Sequence, residues 1–349
     1  MTWFRATRPV RKAPGIGAGD DEHDDVLRLY NQIERELARR IGVILARAVA
    51  DQTISAIVEA FESGVIARVE TVVNFEAIGV ALGNGLGPTL MEAMRRGGEQ
   101  ALRQMPGTLV AGFDVTDPLA ANFIRTRAAE SVVQITLESE AAIRMIISRA
   151  YSDGLGSRAA AREIKSVIGL TRRQALSVSN FRRSLISAIE TDAGPGAVIG
   201  DFALSRNVVN RRNMQLGNVD RLTTAYQHRW IEHRSTLIAR NEAVRAVSAG
   251  RRALWEQAMQ AGALDPATTF VVWQTTPDDR ACPICLPLHN ERVAIGDSFE
   301  SALVGNLQGP PAHPACRCNT VIVMGKERAA TRRTDRRISE LREEIEAPA

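Results

Sequence analysis

Two short segments, Cys282-Pro283-Ile284-Cys285 and His313-Pro314-Ala315-Cys316-Arg317-Cys318, decide how the region around them folds. They hold all four cysteines of this 349-residue chain and one of its five histidines. Zinc takes four N or S ligands in a tetrahedron, and a Cys-x-x-Cys turn points two sulfurs at one ion. Each proline favours extended or turn backbone at the preceding residue. The spacing predicts a structural Zn²⁺ held by Cys282, Cys285, His313 and one of Cys316 or Cys318.

Two other uses of the cysteines remain open, namely disulfide bonds and free thiols. The chain begins Met1-Thr2-Trp3-Phe4-Arg5, without an apolar signal core, so we expect a reducing compartment in which disulfides are rare. Cys316 and Cys318 are also too close in sequence to bridge each other comfortably. The cysteine pattern therefore favours a metal over both alternatives.

The same region carries a longer pattern. Trp273 is followed by Asp278-Asp279-Arg280, by the Cys-x-x-Cys segment, and then by Pro310-Pro311 before the second segment. This pattern resembles the C-terminal domain of the phage Mu F-like minor head proteins of tailed phages and prophages. An Arg-Thr-Glu element of that family corresponds here to Arg240-Asn241-Glu242, with Asn in place of Thr. The resemblance covers about residues 235–323 and, more loosely, 113–190.

The resemblance implies a non-enzymatic minor capsid protein that acts in head morphogenesis. Proteins of this kind associate with the portal inside the capsid, and some are thought to leave the head with the DNA. The implied partners are the portal protein, other head proteins and packaged double-stranded DNA. The implied location is the virion, near the portal vertex, after assembly in the host cytoplasm.

Composition favours a mainly α fold. Hydrophobic residues make up 45% and charged residues 24%, as in ordinary globular proteins, whereas aromatic residues are scarce at 5%. We predict long helices in the N-terminal and middle regions and a small C-terminal α+β, cysteine-rich zinc-knuckle unit. The expected organisation is a flexible arm (1–24), a helical domain (25–190), a linker (191–204), a Mu F-like domain (205–325) and a charged helix or tail (326–349).

Periodicity places the individual elements. Val26, Leu29, Ile33, Leu37 and Ile41 recur at helical spacing, and a helical pattern continues to about residue 75. The apolar stretch 77–91 is broken by Gly83, Gly85, Gly87 and Pro88 and is too short to span a membrane. Further helices are predicted at 119–152, 157–168, 171–190, 219–233 and 235–261, and strands at 270–274, 292–295 and 319–323.

Basic residues are concentrated in two stretches. Residues 205–252 carry ten arginines against three acidic residues. In residues 158–184, seven basic residues face Glu163 alone, and Thr171 to Gln174 fits a capping box at the start of a helix. The resulting helical hairpin could contact a DNA backbone, or it could present a solvated face or bind an acidic protein. The candidate DNA-binding residues are Arg158, Arg162, Lys165, Arg172, Arg173, Arg182 and Arg183.

An enzymatic alternative is a zinc-knuckle nuclease. Asp278, Asp279, His289 and Glu291 lie close in sequence to the cysteines and supply acid–base groups. A catalytic zinc needs an open coordination position, however, and four Cys and His ligands would leave none. The sequence contains no phosphate-binding loop, nucleophile elbow or dinucleotide fingerprint, so we expect no catalytic residues.

Overall fold

The computed structural model describes residues 18–103, 105, 113–114, 118–199, 204–205, 208–276, 281–324 and 338–340. Several segments discussed above lie outside these residues. They are most of the predicted arm, the acidic pair Asp278-Asp279 with Arg280, and most of the predicted C-terminal tail. The described part of the chain is mainly helical with a small C-terminal strand region, as predicted. The chain divides into a strand unit (1–29, 100–112 and 254–349) and a helical unit (30–99 and 113–253).

The helices run in the order α1 (Ala18–Ala50), α2 (Ile54–Glu62), α3 (Ile66–Val73), α4 (Phe75–Leu102), α5 (Pro118–Ser152), α6 (Ser157–Lys165), α7 (Arg172–Glu190), α8 (Gly196–Ile199) and α9 (Val219–Gln260). Helix α1 includes the last seven residues of the segment that was expected to be a flexible arm. The five apolar residues that predicted α1 are all buried. The helical pattern predicted to about residue 75 is divided among three helices. Thr53 is the N-cap of α2, and Val65 is the N-cap of α3.

Two helices of the helical unit continue through residues that locally disfavour a helix or were expected to separate two helices. Helix α4 runs unbroken through Gly83, Gly85, Gly87 and Pro88. Helix α9 is one helix, whereas two were predicted on either side of Arg234. The guanidinium of Arg234 is buried and donates to Ser139 Oγ, to the carbonyls of Gly169 and Ile135, and to the Glu138 carboxylate. A charged residue thus occupies the core-facing side of the helix, where the periodicity would place an apolar one.

Helices α4 and α9 cross at two glycines. A methyl group on Gly250 would lie 1.9 Å from the carbonyl oxygen of Met94, and one on Gly97 would lie 2.3 Å from that of Val247. Only residues without a side chain allow the two backbones to approach this closely. The crossing therefore depends on these two positions.

The hairpin of α6 and α7 closely follows the sequence. The Thr171 side chain accepts from the Gln174 backbone N–H, and the Gln174 side chain accepts from that of Thr171, so the predicted capping box is present. Helix α7 ends at Glu190 as predicted. The cap before α6 is Gly156, and Ser157 is the first helical residue.

The strand unit contains β1 (Thr269–Gln274), β2 (Arg292–Ala294), β3 (Phe299–Ser301), β4 (Gly305–Leu307) and β5 (Asn319–Met324). An antiparallel sheet has the order β2-β1-β5, and β3 and β4 form a separate pair that the sequence did not predict. Val272, Val321 and Val323 pack together on the sheet with Phe270, and the Trp273 ring lies edge-on to Phe299 at 5.2 Å.

No single described helix has both the length and the apolar character needed to cross a bilayer, although the pair His23–Ala50 and Ile54–Glu62, bent by 65°, meets those criteria together.

Candidate metal centre

The sheet brings the two cysteine segments to one place. Strand β1 pairs antiparallel with β5, and its last residue, Gln274, lies opposite Asn319, the first residue of β5. The first segment follows β1 and the second ends directly before β5. Both segments therefore meet at the same end of this strand pair.

Four donor atoms lie close together at that point. His313 Nε2 is 3.1 Å from Cys282 Sγ and 3.2 Å from Cys285 Sγ, and Cys285 Sγ is 3.8 Å from Cys316 Sγ. The donor atoms of Cys285, Cys316 and Cys318 also lie within 4.8 Å of one another. Metal–sulfur bonds of about 2.3 Å in a tetrahedron give sulfur–sulfur edges of about 3.8 Å. The spacing and the chemistry of these residues fit Zn²⁺.

The imidazole of His313 is oriented for ligation. Its Nδ1 lies 2.8 Å from the carbonyl oxygen of Pro314, to which it donates a hydrogen bond. This contact leaves Nε2 directed at the sulfurs. A second hydrogen bond of this kind is the usual way in which proteins fix the tautomer of a metal-binding histidine.

The electrostatics of the cluster also favour a cation. The hydrogen bond from the Cys285 thiol, together with His313, lowers the pKa of Cys282 to about 4 despite its burial. Burial alone lowers the pKa of His313, but the neighbouring Cys282 and Cys316 raise it to about 10. Hydrogen bonds with Cys282, Cys316 and Cys318 raise the pKa of Cys285. The low pKa of Cys282 thus favours its thiolate, which is the form that binds a metal cation. All four cysteines are free, and the structure contains no disulfide among them.

Adjacent threonines after β1 hold both segments, and the sequence reasoning missed them. Thr275 Oγ1 donates to the carbonyl of Cys285 at 2.8 Å, and Thr276 Oγ1 donates to the carbonyl of Arg317 at 2.6 Å. The only signal in the sequence was a pair of hydroxyl residues between a strand and the Cys-x-x-Cys segment.

Two of the candidate nuclease residues, His289 and Glu291, accept hydrogen bonds from the backbone of the strand unit. His289 is buried, and its Nδ1 accepts the backbone N–H of Thr275 at 3.2 Å. Glu291 Oε1 accepts the backbone N–H of Glu300 at 3.1 Å. His289 therefore lies inside the strand unit. Asp278 and Asp279 lie outside the described residues.

The basic residues of the hairpin fall into two groups. Arg162 and Arg182 both pair with Asp220, at 3.1 Å and 2.6 Å, and Arg183 pairs with Asp153. Lys165 Nζ donates to the carbonyl of Gln52. The remaining three side chains, those of Arg158, Arg172 and Arg173, are exposed. More than half of the candidate DNA-binding residues thus have intramolecular partners.

The Arg240-Asn241-Glu242 element lies in α9 and joins three helices. Arg240 donates two hydrogen bonds, of 2.7 and 3.0 Å, to the carboxylate of Glu34 in α1. Glu242 accepts two, of 3.0 and 2.7 Å, from Arg127 in α5. Bidentate pairs of this type fix geometry as well as charge. The element therefore supports the helical unit.

Comparison with known proteins gave one match. Residues 207–321 match the model of a family described as "Phage Mu protein F like protein". The match covers α9, strands β1 to β4, the first half of β5 and both cysteine segments. It confirms the family resemblance drawn for the C-terminal region and does not extend to residues 113–190. No curated protein and no solved structure matched the chain.

Proposed function

We propose that this chain, whose residues 207–321 match the phage Mu protein F like family, is a minor head protein of a tailed phage or prophage. It assists head morphogenesis from inside the capsid, in association with the portal. The family match is the observation that carries the proposal.

The role is structural, with no catalytic step. Four Cys and His donors satisfy a tetrahedral zinc and leave no position for an activated water. His289, the best placed base in the sequence, is buried and accepts a backbone hydrogen bond. The described residues near the cluster therefore favour a structural metal.

The proposed Zn²⁺ acts as a staple for the strand unit. Its ligands are Cys282, Cys285 and His313, with a fourth cysteine from the second segment. In that unit, Val272, Val321 and Val323 pack with Phe270, and Leu286 packs with Ile338 and Ala281. A bound metal that the unfolded chain cannot hold as well adds folding free energy to the unit. The staple keeps β1 and β5 joined at the end where both segments meet.

Contact with packaged DNA is a secondary proposal, and the exposed Arg158, Arg172 and Arg173 are the residues that favour it. Such contacts would be independent of DNA sequence and would weaken steeply with salt. They are compatible with a role in packaging or ejection.

The direct test is co-expression of this chain with the portal protein encoded in the same phage or prophage, followed by isolation of portal rings. We expect the chain to co-purify with the rings and a Cys285→Ser variant to bind them less well. The control is Leu303→Ser, which introduces serine at a side chain that is 65% exposed in the same unit. Failure of the wild-type chain to bind either portal rings or assembled heads would contradict the proposal.

A further inference from the structure

The proposed metal centre has five candidate donors for four coordination positions. The backbone distinguishes four of these donors, which lie in two turns, from the fifth. In the turn Cys282–Cys285, the N–H of the fourth residue donates to the carbonyl of the first at 3.1 Å. In the turn His313–Cys316, the corresponding hydrogen bond is also 3.1 Å. Both turns have proline at the second position. The centre is therefore built from two turns closed by the same hydrogen bond, although Ala315 in the second has a φ of 62° and the first turn has no positive φ. In each turn the first and fourth residues are candidate donors.

Side-chain contacts connect these four residues to one another. His313 Nε2 contacts Cys282 Sγ and Cys285 Sγ, and the imidazole also interacts with the Cys316 thiol. Cys316 Sγ in turn lies 3.8 Å from Cys285 Sγ. Cys316 thus contacts donors from both turns, as a ligand of a shared ion must.

Cys318 has different surroundings. It lies beyond the second turn, directly before β5, and is 3% exposed. Its thiol interacts with Cys285, Cys316 and the indole of Trp273. Cys318 therefore approaches the cluster from the side of the sheet.

One observation favours Cys318. A small cavity of about 20 Å³ beside the cluster is lined by Cys282, Cys285, His313 and Cys318, but not by Cys316. A cavity of this size holds about one water molecule. The lining shows which residues border open space, however, whereas coordination requires the donors to surround one point. Cys318 also contacts one donor from each turn, Cys285 and Cys316. The interaction between Cys316 and His313, a third donor, is therefore the stronger evidence.

We infer that the ligands are Cys282, Cys285, His313 and Cys316, and that Cys318 is a buried, non-coordinating thiol beside Trp273. This assignment rests on the proposed metal centre and gives it a Cys₃His donor set for Zn²⁺. Each turn then supplies its first and fourth residues as ligands.

The test compares two neighbouring cysteines in the full-length protein, purified under reducing conditions. The variants are Cys316→Ser, Cys318→Ser and Cys318→Ala, with Zn²⁺ measured by elemental mass spectrometry. We expect about one ion per chain in the wild type and in both Cys318 variants. Cys316→Ser should lose most of its metal. In Co²⁺-substituted protein, sulfur-to-metal charge-transfer absorption should be the same in the wild type and Cys318→Ala and weaker in Cys316→Ser.

Cys318→Ala keeps the test decisive if serine disturbs the buried site, because alanine brings no polar group into it. Metal loss in both Cys318 variants with retention in Cys316→Ser would overturn the assignment and leave the metal centre intact. Loss in all three variants, or retention in all three, would also overturn it. A wild-type chain without metal would instead contradict the proposed metal centre itself.

Discussion

His23 and Asn319 lie 296 residues apart in the chain, and Nδ1 of the imidazole is 3.0 Å from Oδ1 of the amide. His23 Nε2 lies 3.0 Å from Thr276 Oγ1, whose hydroxyl proton is donated to the carbonyl of Arg317. A hydroxyl has one proton, so Thr276 accepts from Nε2–H of His23. The first turns of α1 are thereby attached to the second cysteine segment.

We therefore expect His23→Ala to weaken the strand unit. Removing the imidazole takes this partner from the buried Asn319 Oδ1 and leaves Thr276 with its bond to Arg317, at a cost of about 1–3 kcal/mol. Amide hydrogen exchange should increase at residues 23–29 and 319–324. His228→Ala is the control, because His228 is exposed on α9. Equal exchange in the two variants would show that the His23 contacts contribute nothing.

Removal of the metal should affect one unit selectively. A zinc chelator under reducing conditions should increase amide exchange in β1 and β5, because the proposed staple holds their shared end. The buried α1 positions Ile33, Leu37 and Ile41 belong to the helical unit and should keep their protection. Hydrogen-exchange mass spectrometry distinguishes the two. The idea fails if the strands exchange at the same rate with and without chelator.

The α4–α9 crossing predicts opposite effects for two glycine substitutions. Gly250→Ala places a methyl group 1.9 Å from the Met94 carbonyl oxygen, so the free energy of unfolding should fall by about 1–3 kcal/mol. Gly83→Ala meets no atom within 4 Å and should raise it by up to about 1 kcal/mol through helix propensity. Chemical denaturation measures both. A tolerated Gly250→Ala would contradict the close approach.

The ion pair of Arg240 with Glu34 should contribute more to the free energy of unfolding than the exposed pair of Arg229 with Glu232 in the same helix. Arg240→Ala leaves the largely buried Glu34 carboxylate without this partner, which should cost about 3 kcal/mol of unfolding free energy. Arg229→Ala removes an exposed pair with Glu232 and should cost less than about 1 kcal/mol. Similar losses in the two variants would refute a supporting role for Arg240.

Local signals explain which elements could be predicted from the sequence. The capping box at Thr171, strand β1 and the two cysteine segments each depend on residues a few positions apart. The clustering of five donors followed from ligand chemistry, since zinc requires four ligands at one point.

The remaining features depend on contacts between distant residues. Helix α9 is continuous because Arg234 finds partners in α5 and in the loop before α7. Helix α4 runs unbroken through Gly83, Gly85, Gly87 and Pro88, although glycine and proline locally disfavour a helix. The attachment of His23 to Thr276 joins residues 253 positions apart. No local pattern encodes such pairings.

The proposed role as a minor head protein is tested most directly by quantitative mass spectrometry of the proteins in purified phage heads. Heads are compared from the phage or prophage that encodes this chain and from a mutant that lacks it. The account predicts the chain in wild-type heads at low copy relative to the major capsid protein, and defective or fewer DNA-filled heads in the mutant. Absence of the chain from heads at every stage, with normal heads in the mutant, would contradict it.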